Sequence, residues 1–291
     1  EVFAALARSE IKAFTHLQPH QSHACHAFLV QLGTLAWLQV DEKEYPADKD
    51  TWLTLLKSLT TDFPDESPWT LIVEDLAKPA FLQPPVPEGS LKTFEEDIFT
   101  PDALDILGKS KNVELKRERI QFPATDHWIF SLLNLQTMQG YSGVSNHGIS
   151  RMNGAYGSRP YVGYTPSLGE NEGKKRDMRI LVKRRREALL KNLESKDKKL
   201  LWLDPWNGMS SLDFDALDSY YVEICRRIRF MKSANGLSVF RTTTEVSRIH
   251  SKELKGVTDD PWTPIHKGEE TKSLSVDGTG FSYKRCSNLL D

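Results

Sequence analysis

Apolar positions follow the spacing of α-helices along much of the chain. In residues 20–40 they recur every three or four positions, and they are frequent enough to predict a helix that is buried on most sides. Pro19 suits the first turn of this helix, because proline lacks an amide hydrogen and the first turn leaves such hydrogens unbonded. Helical spacing also predicts helices over residues 1–10, 52–59, 100–106, 128–138, 174–193 and 215–230.

Strand patterns are shorter and fewer. Residues 199–206 and 237–244 are rich in branched and aromatic side chains, which favour strands. Residues 78–87 (KPAFLQPPVP) carry several prolines and cannot form a regular helix, so they are predicted to be an extended connection that crosses the surface. These patterns together predict an α+β fold, with one large mixed domain over residues 1–291 that contains buried helices and short strands.

Composition is typical of a folded protein that is not embedded in a membrane. Hydrophobic residues make up 39% of the sequence and the formal net charge is -2, so nucleic-acid binding would require local basic patches. No apolar run approaches the length of a membrane helix, and no secretion leader opens the sequence. Cys25, Cys225 and Cys286 lie far apart and form no CxxC pair. We therefore predict a cytoplasmic protein with no membrane partner, and we expect these residues to be part of a longer chain.

Catalytic and cofactor signatures are missing from the sequence. Neither the GxSxG nucleophile pattern, nor the GxxxxGK[ST] phosphate loop, nor a GxGxxG motif after a strand occurs. Four histidines lie close together, but they have no companion cysteines or carboxylates at the spacing of a metal site: His16, His20, His23 and His26. The sequence therefore predicts no metal, no cofactor and no enzymatic activity.

Two polar loops flank the predicted helix at residues 128–138, and they carry the candidate binding residues. The first is basic and includes Lys109, Lys111 and Asn112. The second contains six glycines between residues 140 and 163, and such density indicates positive φ angles or close backbone approach. If the loops converge, lysines and main-chain groups could meet the phosphates or groove edges of a duplex. Tight turns and a solvated basic face are the alternative explanation of the same residues.

Several motifs occur together in a specific order. They are HLQPHQSHACHAFLVQLGTLA, KPAFLQPPVP, GKSKN, LLNLQTMQGYSGVSNHGISRMNGAYGSRPYVGY, LLWLDPWNGMSSL and DDPWTPI. In this order they resemble the N-terminal domain of the large subunit (CasA family) of the type I-E CRISPR Cascade complex. The resemblance spans nearly the whole chain.

The resemblance implies a non-catalytic subunit of an RNA-guided surveillance complex. Such a subunit recognises the protospacer-adjacent motif in double-stranded DNA, helps strand opening and supports recruitment of a helicase-nuclease. Its other partners are the guide RNA (crRNA) and the remaining Cascade subunits. By this resemblance the first loop lies near the guide RNA and the motif, with Lys109, Lys111 and Asn112 as contacts.

The resemblance also assigns roles within the glycine-rich stretch. Gly140 and Gly143 would allow close main-chain approach to the minor groove, and Ser142, Ser145 and Asn146 would supply hydrogen bonds. Three later residues are secondary candidates for contacts with phosphate or RNA: Arg151, Asn153 and Arg159.

The sequence departs from the family pattern in two respects. The family's C-terminal four-helix bundle and strand-separating wedge are expected beyond Asp291. The cysteine cluster that suggests zinc in some members has no counterpart here, so metal binding is not carried over. One alternative is a structural subunit that contacts only guide RNA and neighbouring subunits. Another is a magnesium-dependent nuclease, although the acidic residues near Asp41 and Glu95 show no convincing pattern.

Overall fold

Helices and strands both contribute to the core, and the predicted α+β fold class is confirmed. The computed structural model describes residues 1–11, 13–106, 120–154, 158–163, 170–189, 196–233, 236–275, 282–284 and 287. No helix in these ranges is both long enough and apolar enough to cross a membrane.

Helices dominate the first two-thirds of the chain. The helix predicted at residues 20–40 is observed after a 3-10 turn at Pro19–Gln21, and it is buried along most of its length. The helices predicted near residues 1–10, 52–59, 100–106, 128–138 and 174–193 are also present. The bounds are α1 Val2–Ala7, α2 Ser22–Trp37, α3 Lys49–Lys57, α4 Pro101–Leu104, α5 Thr125–Met138 and α6 Glu170–Leu189.

Short strands form small sheets rather than one large one. Within the described ranges, β1, β6 and β5 form an antiparallel sheet in that order, β8 pairs antiparallel with β9, and two parallel pairs join β2 to β4 and β3 to β7. The bounds are β1 Glu95–Ile98, β2 Lys198–Leu200, β3 Leu212–Asp213, β4 Leu217–Val222, β5 Arg227–Ser233, β6 Gly236–Thr242, β7 Ile249–His250, β8 Ile265–Lys267 and β9 Thr271–Ser273.

The core is built around α2. This helix packs against α5 and α6 and against strand β4, so helices and sheet share one apolar cluster. Five tryptophans are almost fully buried in the protein and supply much of its apolar surface. They are Trp37, Trp52, Trp128, Trp202 and Trp206.

The prediction of a helix at residues 215–230 is wrong. This stretch forms strands β4 and β5, joined by a connection in which Gln136 of α5 accepts hydrogen bonds from the amides of Cys225 and Arg226, at 3.0 and 2.8 Å. Every residue from 221 to 230 is buried, so the apolar spacing cannot distinguish a strand from a helix. The branched and aromatic side chains at 220–222 favour a strand.

Two other predictions are correct in part. Residues 78–87 form no regular helix, as predicted, but they do not cross the surface, because residues 79–86 are mostly buried. Gln83 supports this segment by donating to the carbonyl of Leu71 and accepting from the amide of Phe230. The strand predicted at residues 199–206 is limited to β2, and the strand predicted at 237–244 corresponds to β6.

The four clustered histidines contact four different partners. His16 lies 3.0 Å from Asp126, His20 lies 3.0 Å from Asp105 and His26 lies 2.8 Å from Asp177. The fourth, His23, stacks on the ring of Tyr161.

Asp105 is the most enclosed of these carboxylates, and its titration should affect stability. Burial raises its pKa, but hydrogen bonds from His20, Gln21 and Asn134 more than offset this and hold the pKa below its ordinary value. A lowered carboxyl pKa stabilises the fold above the unfolded-state pKa of about 3.9, and this contribution is lost as the pH falls through the folded-state pKa.

We therefore expect Asp105→Asn to lower the free energy of unfolding at pH 5 and to have a smaller effect at pH 3. Urea denaturation at the two pH values measures the difference. Both pH values lie below the ordinary histidine pKa of about 6.5, so histidine titration should contribute little to it. Asp126→Asn is the matched control, because that carboxylate also contacts a histidine but is half exposed. An equal effect of Asp105→Asn at both pH values would contradict the expectation.

Candidate nucleic-acid interface

Helix α5 leads directly into the glycine loop, defined here as residues 140–146. Gly140 is buried at the base of the loop. The chain returns beside it, and the amide of Ile149 donates to the carbonyl of Gln139 at 3.0 Å. A Cβ atom at Gly148 would lie 2.6 Å from the backbone at the base of the loop, so only glycine fits there. Close backbone approach, one of the two uses predicted for these glycines, is therefore observed at Gly148.

A tight turn forms the apex of the glycine loop. The amide of Asn146 donates to the carbonyl of Gly143, and the amide of Ser142 donates to the carbonyl of Asn146, both at 3.0 Å. Gly143 has φ +120° and Ser145 has φ +58°, so two of the turn residues adopt backbone conformations that are unusual for residues with a side chain. Val144 lies between them with 85% of its surface exposed. The structure thus brings the predicted residues Gly140, Ser142, Gly143, Ser145 and Asn146 into one loop.

Arg226 holds the glycine loop from beneath. Its guanidinium donates to the carbonyl of Gly140 at 3.3 Å, to the hydroxyl of Ser142 at 3.0 Å and to the carbonyl of His147. The side chain is buried, and its described hydrogen-bond partners include no carboxylate. One buried cation therefore joins the two ends of the loop.

The segment that follows β6 supports the apex from the side. The amide of Thr244 donates to the carbonyl of Ser145 at 3.0 Å, and the ring of His147 lies 3.1 Å from the carbonyl of Glu245. A cavity of about 290 Å³ lies between the loop and the β1–β6–β5 sheet, with Asn146 and Arg226 in its lining. The apex is therefore held at both its ends and along one side.

Arg151 lies in the core and not at the surface. It is 1% exposed, its guanidinium bonds Glu223 at 2.7 Å and the carbonyl of Tyr221 at 2.8 Å, and it lies 3.5 Å from Asp260. Burial alone would lower the pKa of Arg151, but the neighbouring Tyr221, Glu223 and Asp260 raise it above its ordinary value. In this position the side chain cannot reach a phosphate, so the structure argues against the predicted contact.

Arg159 is enclosed in the same network. It donates to Asp260 from two of its nitrogens, and its side chain is almost fully buried. Burial raises the pKa of Asp260, but the charges of Arg159 and Arg151 outweigh this and hold it below its ordinary value. A direct role of Arg159 in phosphate or RNA binding is therefore also disfavoured. Asn153 is partly exposed and remains a candidate.

The basic loop cannot be placed beside the glycine loop, because Lys109, Lys111 and Asn112 lie outside the described residues. The sequence did not indicate Arg226 or Thr244 as supports of the glycine loop. Arg226 lies in the stretch for which the sequence predicts a helix, and no local pattern connects it with a loop some 80 positions earlier.

Helix α6 offers less free positive charge than its sequence indicates. Arg184 contacts Asp259, Arg185 contacts Asp218, and Arg186 donates to the carbonyls of Val40 and Glu42. Lys174 and Lys175 are buried. Arg179 and Lys183 are exposed on the outer face, which is therefore a weaker candidate for nucleic-acid binding than the glycine loop.

The acidic residues give no support to a magnesium site. Asp41 follows α2 and Glu95 begins β1, and both are exposed. Across the described ranges, no three His, Cys, Asp or Glu side chains are arranged to hold a metal ion.

No family model, curated protein or solved structure matches this chain. Any function assigned to it therefore depends on its motifs and on the geometry of the glycine loop.

Proposed function

We propose that the chain is a non-catalytic large subunit of a Cascade-type surveillance complex, in which the glycine loop recognises the protospacer-adjacent motif in target DNA. In this function the subunit acts in the cytoplasm, helps to open the DNA strands and supports recruitment of a helicase-nuclease. It is supported by the ordered set of motifs and, above all, by the exposed apex that Arg226 and Thr244 hold in place.

The minor groove of the duplex suits this apex. The groove is only about 6 Å wide, so a loop with a glycine at its turn can bring main-chain groups close to base edges. Ser142, Ser145 and Asn146 are partly exposed and carry hydrogen-bonding groups. Minor-groove edges distinguish mainly A·T from G·C pairs, so recognition there would tolerate related motifs. Full sequence specificity would come from guide RNA pairing in another part of the complex.

A structural subunit that contacts only guide RNA and neighbouring subunits is the second candidate. One observation favours it, because Arg151 and Arg159 neutralise buried carboxylates and leave fewer cations for a duplex. In this case the glycine loop would contact protein or RNA.

Gly143→Asp in the reconstituted complex separates the two candidates. The new carboxylate would place a negative charge at the apex on a backbone with φ +120°, and we expect at least about tenfold weaker binding of a motif-bearing duplex, equal to about 1.4 kcal/mol. Binding of a duplex with a scrambled motif should change little. Fluorescence anisotropy measures both affinities.

Gly236→Asp is a matched control. Gly236 also has φ +120°, and a Cβ atom there would likewise meet open space. It differs in position, because it begins β6 and the glycine loop lies past the other end of that strand, roughly 20 Å along it. Equal effects of the two substitutions, or motif-dependent binding that persists when the subunit is omitted, would favour the structural role.

A further inference from the structure

An exposed apolar side chain stands at the apex of the glycine loop. A single exposed valine is common on protein surfaces and needs no explanation by itself. Val144 differs in its setting, because the turn that carries it is closed by the two main-chain hydrogen bonds between Ser142, Gly143 and Asn146. The side chain of Asn146 adds a third hydrogen bond, in which its Nδ2 donates to the carbonyl of Val144 at 3.2 Å. The apex therefore presents Val144 in a defined position.

The supports of the loop make this position firm. Arg226 bonds both ends of the loop, and Thr244 bonds the carbonyl of Ser145 immediately after Val144. Valine is itself stiff about χ1, so little side-chain entropy remains to be lost on binding. Because the loop is already ordered before binding, a contact made by Val144 would not carry the entropic cost of ordering the loop.

Proteins that bend DNA from the minor groove often insert an apolar side chain between base steps and partly unstack them. The residues on either side of Val144 suit such an approach, because Gly143 has no side chain and Ser145 is small and polar. The buried charge of Arg226 lies beneath the loop without a carboxylate among its described hydrogen-bond partners, which favours nearby phosphates.

We infer that Val144 enters the minor groove at the motif and packs against a base step, so that binding of this subunit begins to unstack the duplex. This inference rests on the proposed function and adds to it the residue that deforms the DNA. Val144 thus acts before any guide RNA pairs.

Unstacking is measured with 2-aminopurine, a fluorescent adenine analogue, placed in the motif of a duplex. The complex carries a guide RNA that cannot pair with this duplex, so strand opening by the guide makes no contribution. We expect wild type to increase the fluorescence and Val144→Ala to lose most of the increase, with about tenfold weaker binding from the lost apolar contact.

Two further variants sharpen the test. Val144→Thr keeps the branched shape but replaces one methyl group by a hydroxyl, and we expect it to reduce the fluorescence increase, whereas Val144→Ile should retain it. Val40→Ala is the control, because Val40 is also partly exposed but lies beyond the end of α2.

The possible failures are distinguishable. If Val144→Ala matches wild type in fluorescence and affinity while Gly143→Asp abolishes motif-dependent binding, the inference is wrong and the proposed function stands. Motif-dependent binding by wild type without any fluorescence increase leads to the same conclusion. If omission of the subunit leaves motif-dependent binding unchanged, the proposed function and the inference both fail.

Discussion

Arg151→Met is expected to lower the free energy of unfolding by about 3–5 kcal/mol, the range for removing one partner of a buried ion pair. Methionine replaces the aliphatic part of the arginine side chain but lacks the guanidinium, so it leaves Glu223 and Asp260 buried with one cation fewer. It also leaves the carbonyl of Tyr221 without the hydrogen bond that Arg151 donates. Urea denaturation of the two proteins at neutral pH measures the loss.

Arg8→Met is the matched control for this prediction. Arg8 makes a side-chain ion pair with Glu10 that is largely exposed to solvent, so its removal should change stability little. A similarly small effect of Arg151→Met would mean that the buried network contributes no more than a surface pair.

Arg226→Met is expected to release the glycine loop and to abolish motif-dependent DNA binding under the proposed function. The substitution removes the donors to Gly140, Ser142 and His147, and leaving such groups unsatisfied costs about 1–3 kcal/mol for each that stays buried. Amide hydrogen exchange across residues 140–148 should accelerate at temperatures where the rest of the chain stays folded. Anisotropy with motif-bearing and scrambled duplexes measures the binding.

Arg229→Met provides the matched control, three residues further along the chain in β5. Arg229 is also buried and donates to backbone carbonyls, those of Val73, Asp75 and Lys78, but these lie away from the glycine loop. Burial lowers the pKa of Arg229 to about 10, so its guanidinium stays charged at neutral pH. This variant should lose stability while its folded form keeps its DNA affinity. Equal loss of binding in both variants would show that general destabilisation, and not the loop, is responsible.

The helices could be predicted because their apolar spacing is local information. For α2 and α5, which are 16 and 14 residues long, the apolar run is longer than a typical buried strand, and this length indicates a helix although both elements are buried on most sides. The stretch from 215 to 230 has a similar length but contains two short strands, and because residues 221–230 are all buried, the apolar spacing does not mark where one strand ends and the next begins. Its strands depend on a distant partner, Gln136, whose side chain bonds the connection between them.

In the candidate site, too, local features could be predicted from the sequence and long-range contacts could not. Glycine density predicted a turn with positive φ, and Gly143 has one. The sequence does not show whether an arginine faces solvent or a buried carboxylate, so the resemblance makes Arg151 and Arg159 secondary candidates for nucleic acid although they contact Glu223 and Asp260. That distinction depends on contacts between residues some 70 to 100 positions apart.

Under the proposed function, the burial of these cations would affect how the protein binds DNA. Eight basic side chains in the described ranges are buried, against four acidic ones: Arg151, Arg159, Lys174, Lys175, Arg226, Arg227, Arg229 and Arg248, against Asp105, Asp218, Glu223 and Asp260. The exposed surface of the described ranges is therefore more acidic than the formal net charge of -2 indicates. Electrostatic attraction between cationic side chains and DNA phosphates does not depend on base sequence, so it supplies non-specific binding to any duplex. A subunit that keeps its cations inside would leave an incorrect sequence sooner, which shortens the time spent on each site during a search.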